Sequence, residues 1–131
     1  MIKVIIADDQ ELIRESLKIV LDQNEDIEVT GVAENGQILM DMLTNSQPDV
    51  ILMDVRMPEM DGLEATRAIR ALQRPDAKDI PIIAMTANAF DEDVQRSLQA
   101  GMNAHLSKPV EAEHLYKTLE ELIWEKDNKT E

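Results

Sequence analysis

The sequence predicts an α/β domain: a doubly wound parallel sheet of five strand–helix units, (βα)5, with helices on both faces. Two observations carry this prediction. Short apolar runs alternate with helix-period segments along all 131 residues, the sequence form of repeated βα units. Three of those runs, Val4-Ile5-Ile6, Val50-Ile51-Leu52-Met53 and Ile82-Ile83-Ala84-Met85, are continuously apolar, as strands covered on both faces are.

Each element follows in order. The first strand, 3–7, runs into Asp8-Asp9 and a helix over 11–23. The second strand, 27–33, begins with the alternation Ile27-Glu28-Val29-Thr30, which suits a sheet edge; a helix over 37–45 follows. The third strand, 50–53, ends at Asp54. Asp61 is the expected N-cap of a helix over 63–72, and 73–79 is a polar loop. The fourth strand, 82–86, ends at Thr86, and Gly101 stops the helix over 91–100. The fifth strand, 104–107, is short and mixed, a second edge. It leads through Lys108-Pro109 to a helix over 111–124. Placing the apolar strands centrally gives the sheet order 2-1-3-4-5, one of two common doubly wound orders. One domain over 1–125 is expected, with a short charged tail, 126–131, frayed at the end and no output domain after it.

Thirteen Lys and Arg against twenty-seven Asp and Glu give a net charge of −14. Such a field repels nucleic-acid phosphates and anionic membrane surfaces, so direct DNA binding and membrane association are not expected. With no cysteine, disulfides and thiolate metal sites are excluded. No apolar run approaches bilayer length and the start lacks the form of a signal peptide, so a cytoplasmic location is expected.

In open parallel sheets, ligands bind beyond the carboxyl ends of the strands. Those ends carry Asp8-Asp9, Asp54, Thr86 and Lys108-Pro109. Three converging carboxylates need a counter-charge, and all-oxygen ligation in little room suits Mg²⁺. A cation against Asp54 would neutralise an incoming phosphoryl group, and the Lys108 ammonium and Thr86 hydroxyl would hold its oxygens. The set matches phosphoryl transfer to a carboxylate.

Across nearly its full length the chain resembles the flavodoxin-like receiver domain of two-component response regulators. The resemblance rests on Asp8-Asp9, on Asp54 within Asp54-Val55-Arg56-Met57-Pro58-Glu59-Met60-Asp61-Gly62, on Thr86-Ala87 and on Lys108-Pro109. It implies that Asp54 takes a phosphoryl group from phosphohistidine on a histidine kinase or histidine phosphotransfer protein and becomes an aspartyl phosphate. Mg²⁺, replaceable by Mn²⁺ or Ca²⁺, would be bound by Asp9, Asp54 and the Arg56 backbone carbonyl, with Asp8 acting through water. Ala87 leaves room for the phosphoryl group, and Lys108-Pro109 matches the family's cis peptide. Thr86 would move toward the phosphoryl group as an aromatic side chain swings in on the fifth strand. Here His105 holds that place. Arg56 and Asn88 occupy the family's lifetime-tuning positions, and Gln10, Ile13 and Arg14 are candidates for partner docking. The output face would be the fourth helix, fifth strand and fifth helix, acting on a downstream protein target. Such a chain is a signalling phosphoacceptor, catalysing only its own phosphorylation and dephosphorylation. The opening through about Gly36 is similar to receivers that precede DNA-binding domains, and 86–110 to receivers attached to hybrid histidine kinases.

Taken singly, these residues have plainer readings. Asp8-Asp9 alone suits a solvated turn, Thr86 a strand hydroxyl, Lys108 a surface charge; their joint placement at strand ends reverses those odds. Six of the eight methionines, Met40, Met53, Met57, Met60, Met85 and Met102, read as core filler, and His114 as a surface residue. A phosphohydrolase of the haloacid dehalogenase type would need a second acid where Arg56 stands. Nucleotide binding lacks a glycine-rich loop. Receiver-shaped modules that never take phosphate typically lose an acid or the lysine, and this chain keeps them all.

Overall fold

The structure is a computed structural model that describes residues 2–86 and 91–129, the side chains of 91–93 and 123–129 excepted. Ten elements alternate: β1 (Ile2–Ala7), α1 (Glu11–Asp22), β2 (Ile27–Ala33), α2 (Gly36–Leu43), β3 (Val50–Asp54), α3 (Gly62–Arg70), β4 (Ile82–Thr86), α4 (Asp91–Ala100), β5 (Ala104–Ser107) and α5 (Ala112–Lys129). All strand pairs are parallel and the order is β2-β1-β3-β4-β5. The expected order and edges hold, and element ends differ by a residue or two except at α5. There the helix continues to Lys129, so residues 126–129, expected to belong to a charged tail, extend it instead.

Period-2 alternation sends successive side chains to opposite faces. Val4, Ile6, Val50, Leu52, Ile83, Met85 and Leu106 pack with Leu17 and Leu21 of α1 and Leu115 and Leu119 of α5. Ile5, Ala7, Ile51, Met53, Ile82 and Ala84 pack with Leu39 and Leu43 of α2 and Ala65 and Ile69 of α3. Fully burying each Val, Leu, Ile or Met side chain among them contributes about 1.5–3 kcal/mol. This explains why the three central strands read as unbroken apolar runs. Met53, Met57, Met85 and Met102 are buried, while Met40 and Met60 pack against the second of these clusters.

β2 contains an irregularity that alternation alone does not reveal. Val4 pairs with Val29, but Ile5 pairs with Gly31, so Thr30 is an extra residue, a β-bulge. Bulges bend and twist a strand and favour sheet edges. Ile27 and Val29 therefore face the α1 side, whereas Ala33, of the same parity, faces α2.

The helix ends explain the loops. Asp61 caps α3 in a reciprocal capping box: its carboxylate accepts from Glu64 N at 2.8 Å, and Glu64 accepts from Asp61 N at 3.4 Å. Asn35 caps α2 by accepting from Ile38 N at 2.8 Å. Gly101, at φ +111°, makes the left-handed turn after α4, a conformation that an L side chain adopts only under strain. The half-buried Arg70 of α3 holds that turn, donating to Gly101 O at 3.0 and 2.8 Å, to Asn103 Oδ1 at 2.9 Å and to Ala77 O at 3.1 Å.

Candidate functional site

The sheet order reverses at β1, whose two neighbours are β2 and β3. α1 leaves β1 toward one face and α3 leaves β3 toward the other. Their divergence opens a crevice at the carboxyl edge of the sheet. A cavity of about 250 Å³ lies there, lined by Asp9, Gln10, Asp54, Val55, Arg56, Met85, Thr86 and Lys108. A larger groove of about 990 Å³, with Lys3, Thr30, Ser46 and Arg74 among its lining residues, includes none of these strand-end groups.

One carboxylate oxygen each from Asp8, Asp9 and Asp54 lies within 4.8 Å of the others. Lys108 joins two of them, with Nζ 2.9 Å from Asp8 Oδ2 and 3.1 Å from Asp54 Oδ2. Asp8 is fully buried. Its Oδ1 accepts from Gln10 N at 2.9 Å, and its backbone N–H donates to Ala33 O at 3.0 Å. Asp54 is nearly buried, and its Oδ1 accepts from Arg56 N at 3.3 Å. Asp9 is exposed. Thr86 is 2% exposed and, among the described residues, its Oγ1 has no hydrogen-bond partner. Leaving a buried hydroxyl unsatisfied costs about 1–3 kcal/mol, an arrangement that persists at functional positions.

The backbone places Asp54 closely. Gly62 N donates to Val55 O at 3.0 Å, so the loop after β3 folds back and starts α3 over the end of its own strand. A Cβ on Gly62 would lie 2.3 Å from Asp54 O. Asp61-Gly62 is thus more than a turn; only a side chain of no size fits there. In the same loop, Glu59 has φ +65° and accepts from Asn35 Nδ2 at 3.3 Å.

Charge follows from this geometry. Burial first, and then the Asp8 carboxylate, push the Asp54 carboxyl up from 3.8 to about 6, while Lys108 and Arg56 N pull the other way. For Lys108, burial favours the neutral amine, but the hydrogen bond to Asp8 and the pairing with Asp54 hold the ammonium above its ordinary range. A carboxyl whose folded pKa is raised binds protons in the native state before it does in the unfolded chain. Stability therefore falls as pH rises through the window from 3.8 to about 6. Without metal ion, wild type should be less stable than Asp54→Asn at pH 7, by on the order of 3 kcal/mol. The gap should close near pH 4. Urea unfolding of both chains across that range measures it, and a gap independent of pH would contradict the assignment.

The other expected site residues distribute as follows. Arg56 is exposed. His105 lies on β5 opposite Ala84 and is exposed, as is His114. The Lys108-Pro109 peptide is cis. Gln10 is exposed, Ile13 packs into the α1 side of the core, and Arg14 is half-buried with Nη1 donating to Asp8 O at 2.7 Å. Ala87 and Asn88 lie outside the described residues. Sequence reasoning missed the Arg14 bond and the Gly62 approach.

Acid groups and a lysine gathered at the switch point of a (βα)5 sheet define the layout of a signalling receiver. Comparison with known proteins gives the family: residues 4–120 match the response regulator receiver domain, and the chain belongs to it. It is 36% identical over 121 residues to the transcriptional regulatory protein YdfI of Bacillus subtilis, covering 92% of this chain and 54% of that protein. It is 46% identical over 78 residues to histidine kinase 1 of Arabidopsis thaliana, 59% of this chain and 6% of the kinase. The receiver domain of the sensor histidine kinase PA1611 from Pseudomonas aeruginosa, with a magnesium ion coordinated in its active-site cleft, superposes with a TM-score of 0.82 at 34% identity, covering 92% of this chain and 96% of that one. The chain spans about half the length of the transcriptional regulators it matches. No described helix is long and apolar enough to cross a membrane.

Proposed function

We propose that this receiver accepts a phosphoryl group on Asp54 from phosphohistidine of a histidine kinase or phosphotransfer protein. The observation that carries the reading is the gathering around Asp54 of two further carboxylates and the Lys108 ammonium, with the buried Thr86 hydroxyl, unpartnered among the described residues, lining the same cavity. The donor set fits Mg²⁺: all oxygen, compact, with an exposed carboxylate on Asp9. Asp9, Asp54 and the Arg56 carbonyl would hold it. Both oxygens of Asp8 are already engaged, by Gln10 N and Lys108, which favours contact through water. Mn²⁺ or Ca²⁺ would substitute. The ion supplies charge neutralisation between Asp54 and the incoming phosphoryl oxygens.

An Asp54 carboxylate oxygen attacks phosphorus, a P–O bond forms, and the P–N bond breaks with its electron pair passing to the leaving imidazole. Lys108 releases Asp54 Oδ2 to grip a phosphoryl oxygen, and Thr86 Oγ1, which has no partner among the described residues, gains one. His105, now exposed, would move inward as Thr86 shifts. Arg56 and Asn88 would set the lifetime of the acyl phosphate. Turnover is confined to the chain's own phosphorylation and dephosphorylation. The charge of −14 leads us to assign this chain no direct nucleic-acid contact, its output passing to a protein target; we place it in the cytoplasm.

Incubation with a small acyl phosphate and Mg²⁺ tests the reading. Wild type should gain acid-stable, base-labile phosphate, and chelation should abolish the gain. No incorporation under either condition would overturn it.

A further inference from the structure

We infer that Arg14 is a positioning residue for the cation site, acting through the peptide that joins Asp8 to Asp9. The inference rests on the proposed cation site and adds a residue to its support. Asp8 is the hub of the acidic group, and each of its other polar groups is contacted: its N–H donates to Ala33 O at 3.0 Å, Oδ1 accepts from Gln10 N at 2.9 Å, and Oδ2 is ion-paired at 2.9 Å with Lys108, which it shares with Asp54. Its carbonyl lies just past the last residue of β1 and is taken by Arg14 Nη1 at 2.7 Å. That carbonyl belongs to the same peptide plane as the Asp9 N–H, so fixing it fixes the plane from which the exposed Asp9 carboxylate projects. Arg14 itself is set by α1, where its own N–H donates to Gln10 O at 3.1 Å. The first turn of α1 and the end of β1 are thus tied together at one peptide.

Two effects of removing Arg14 oppose each other, which makes the test discriminating. Loss of a nearby positive charge alone would tighten cation binding. Loss of the peptide anchor would loosen it, as groups that orient ligands do, by on the order of tenfold. A role only in partner docking would leave cation affinity unchanged and slow transfer from a kinase alone. Mg²⁺ titration by calorimetry, with the Asp9 amide followed in ¹H–¹⁵N spectra and the metal-free melting temperature recorded, separates these cases. Arg14→Gln should raise the Mg²⁺ Kd about tenfold and move the Asp9 amide resonance. Arg14→Lys, whose compact ammonium sits on a flexible stem and lacks the planar guanidinium fork, should fall between it and wild type. A Kd for Arg14→Gln at or below wild type overturns the inference. Should that variant fail to fold, Arg14→Lys decides on the same criterion. A wild type that takes up no Mg²⁺ overturns the site reading itself, and the Arg14 role with it.

Discussion

Asp54→Asn is expected to lose phosphate incorporation by roughly 10³-fold or more, because the nucleophile is gone while the shape of the site remains. Asn matches Asp in volume and can still accept from Arg56 N, which lies 3.3 Å from Oδ1 in wild type. Its amide is a poor nucleophile and carries no charge. The site then keeps two carboxylates, and Lys108 keeps only its 2.9 Å pairing with Asp8. The substitution should therefore weaken Mg²⁺ uptake as well, while raising metal-free stability at neutral pH, since the cost of burying the Asp54 charge is removed and the like-charge contact with Asp8 is relieved. Incorporation equal to wild type would mean that another residue is the acceptor. Phosphate retained on the variant, located by peptide mapping, would identify it.

Gly62→Ala should be the most damaging single-methyl change near the site. The added carbon would lie 2.3 Å from Asp54 O, 3.0 Å from Met53 Cγ and 3.0 Å from Val55 Cα. Two of these are backbone atoms that cannot rotate aside. Relief requires α3 to lift or the end of β3 to bend. Lifting α3 strains the 3.0 Å bond from Gly62 N to Val55 O and the capping box at Asp61. Overpacking of this kind costs about 1–3 kcal/mol. Bending β3 displaces Asp54 itself, and misplacement of a reacting group by about 1 Å can cost roughly 10²-fold in rate. Urea unfolding and the rate of phosphorylation by an acyl phosphate read the two effects. A variant within about 0.5 kcal/mol of wild type and unimpaired in rate would show that the close approach is not maintained in solution.

Much of this was legible in the sequence because it depends on period and chain position. Unbroken apolar runs at 4–6, 50–53 and 82–85 required two covered faces, which placed those strands centrally and brought Asp8, Asp54 and Thr86 to one edge. Gly101 and Asp61 announced helix ends through local preferences. What escaped depends on contacts between distant segments. The Gly62 approach follows from the path of a seven-residue loop, 55–61, folding back on its strand. The Arg14 bond follows from where α1 lands relative to the end of β1, which no i, i+4 pattern specifies. Ile13 was a docking candidate by chain position alone, and it packs against the core once α1 lies on the sheet. The expected tail at 126–131 was read from charge, whereas the helix extends into it to Lys129.

The bulge in β2 can be restated as a tolerance to changes in chain length. Between Val29 and Gly31 the strand carries one residue more than its partner β1 uses. Deleting Thr30 would leave Val29 and Gly31 on their present faces and Ala33 still opposite Ala7. Deleting Glu28 or Val32 would put the neighbouring segment out of phase with both layers. Thr30 is thus a spare residue, the one place in this strand where a natural or engineered deletion keeps every inward side chain inward. Because Ala33 O holds the N–H of Asp8, that distinction separates shortened chains that keep the acidic hub in place from those that do not.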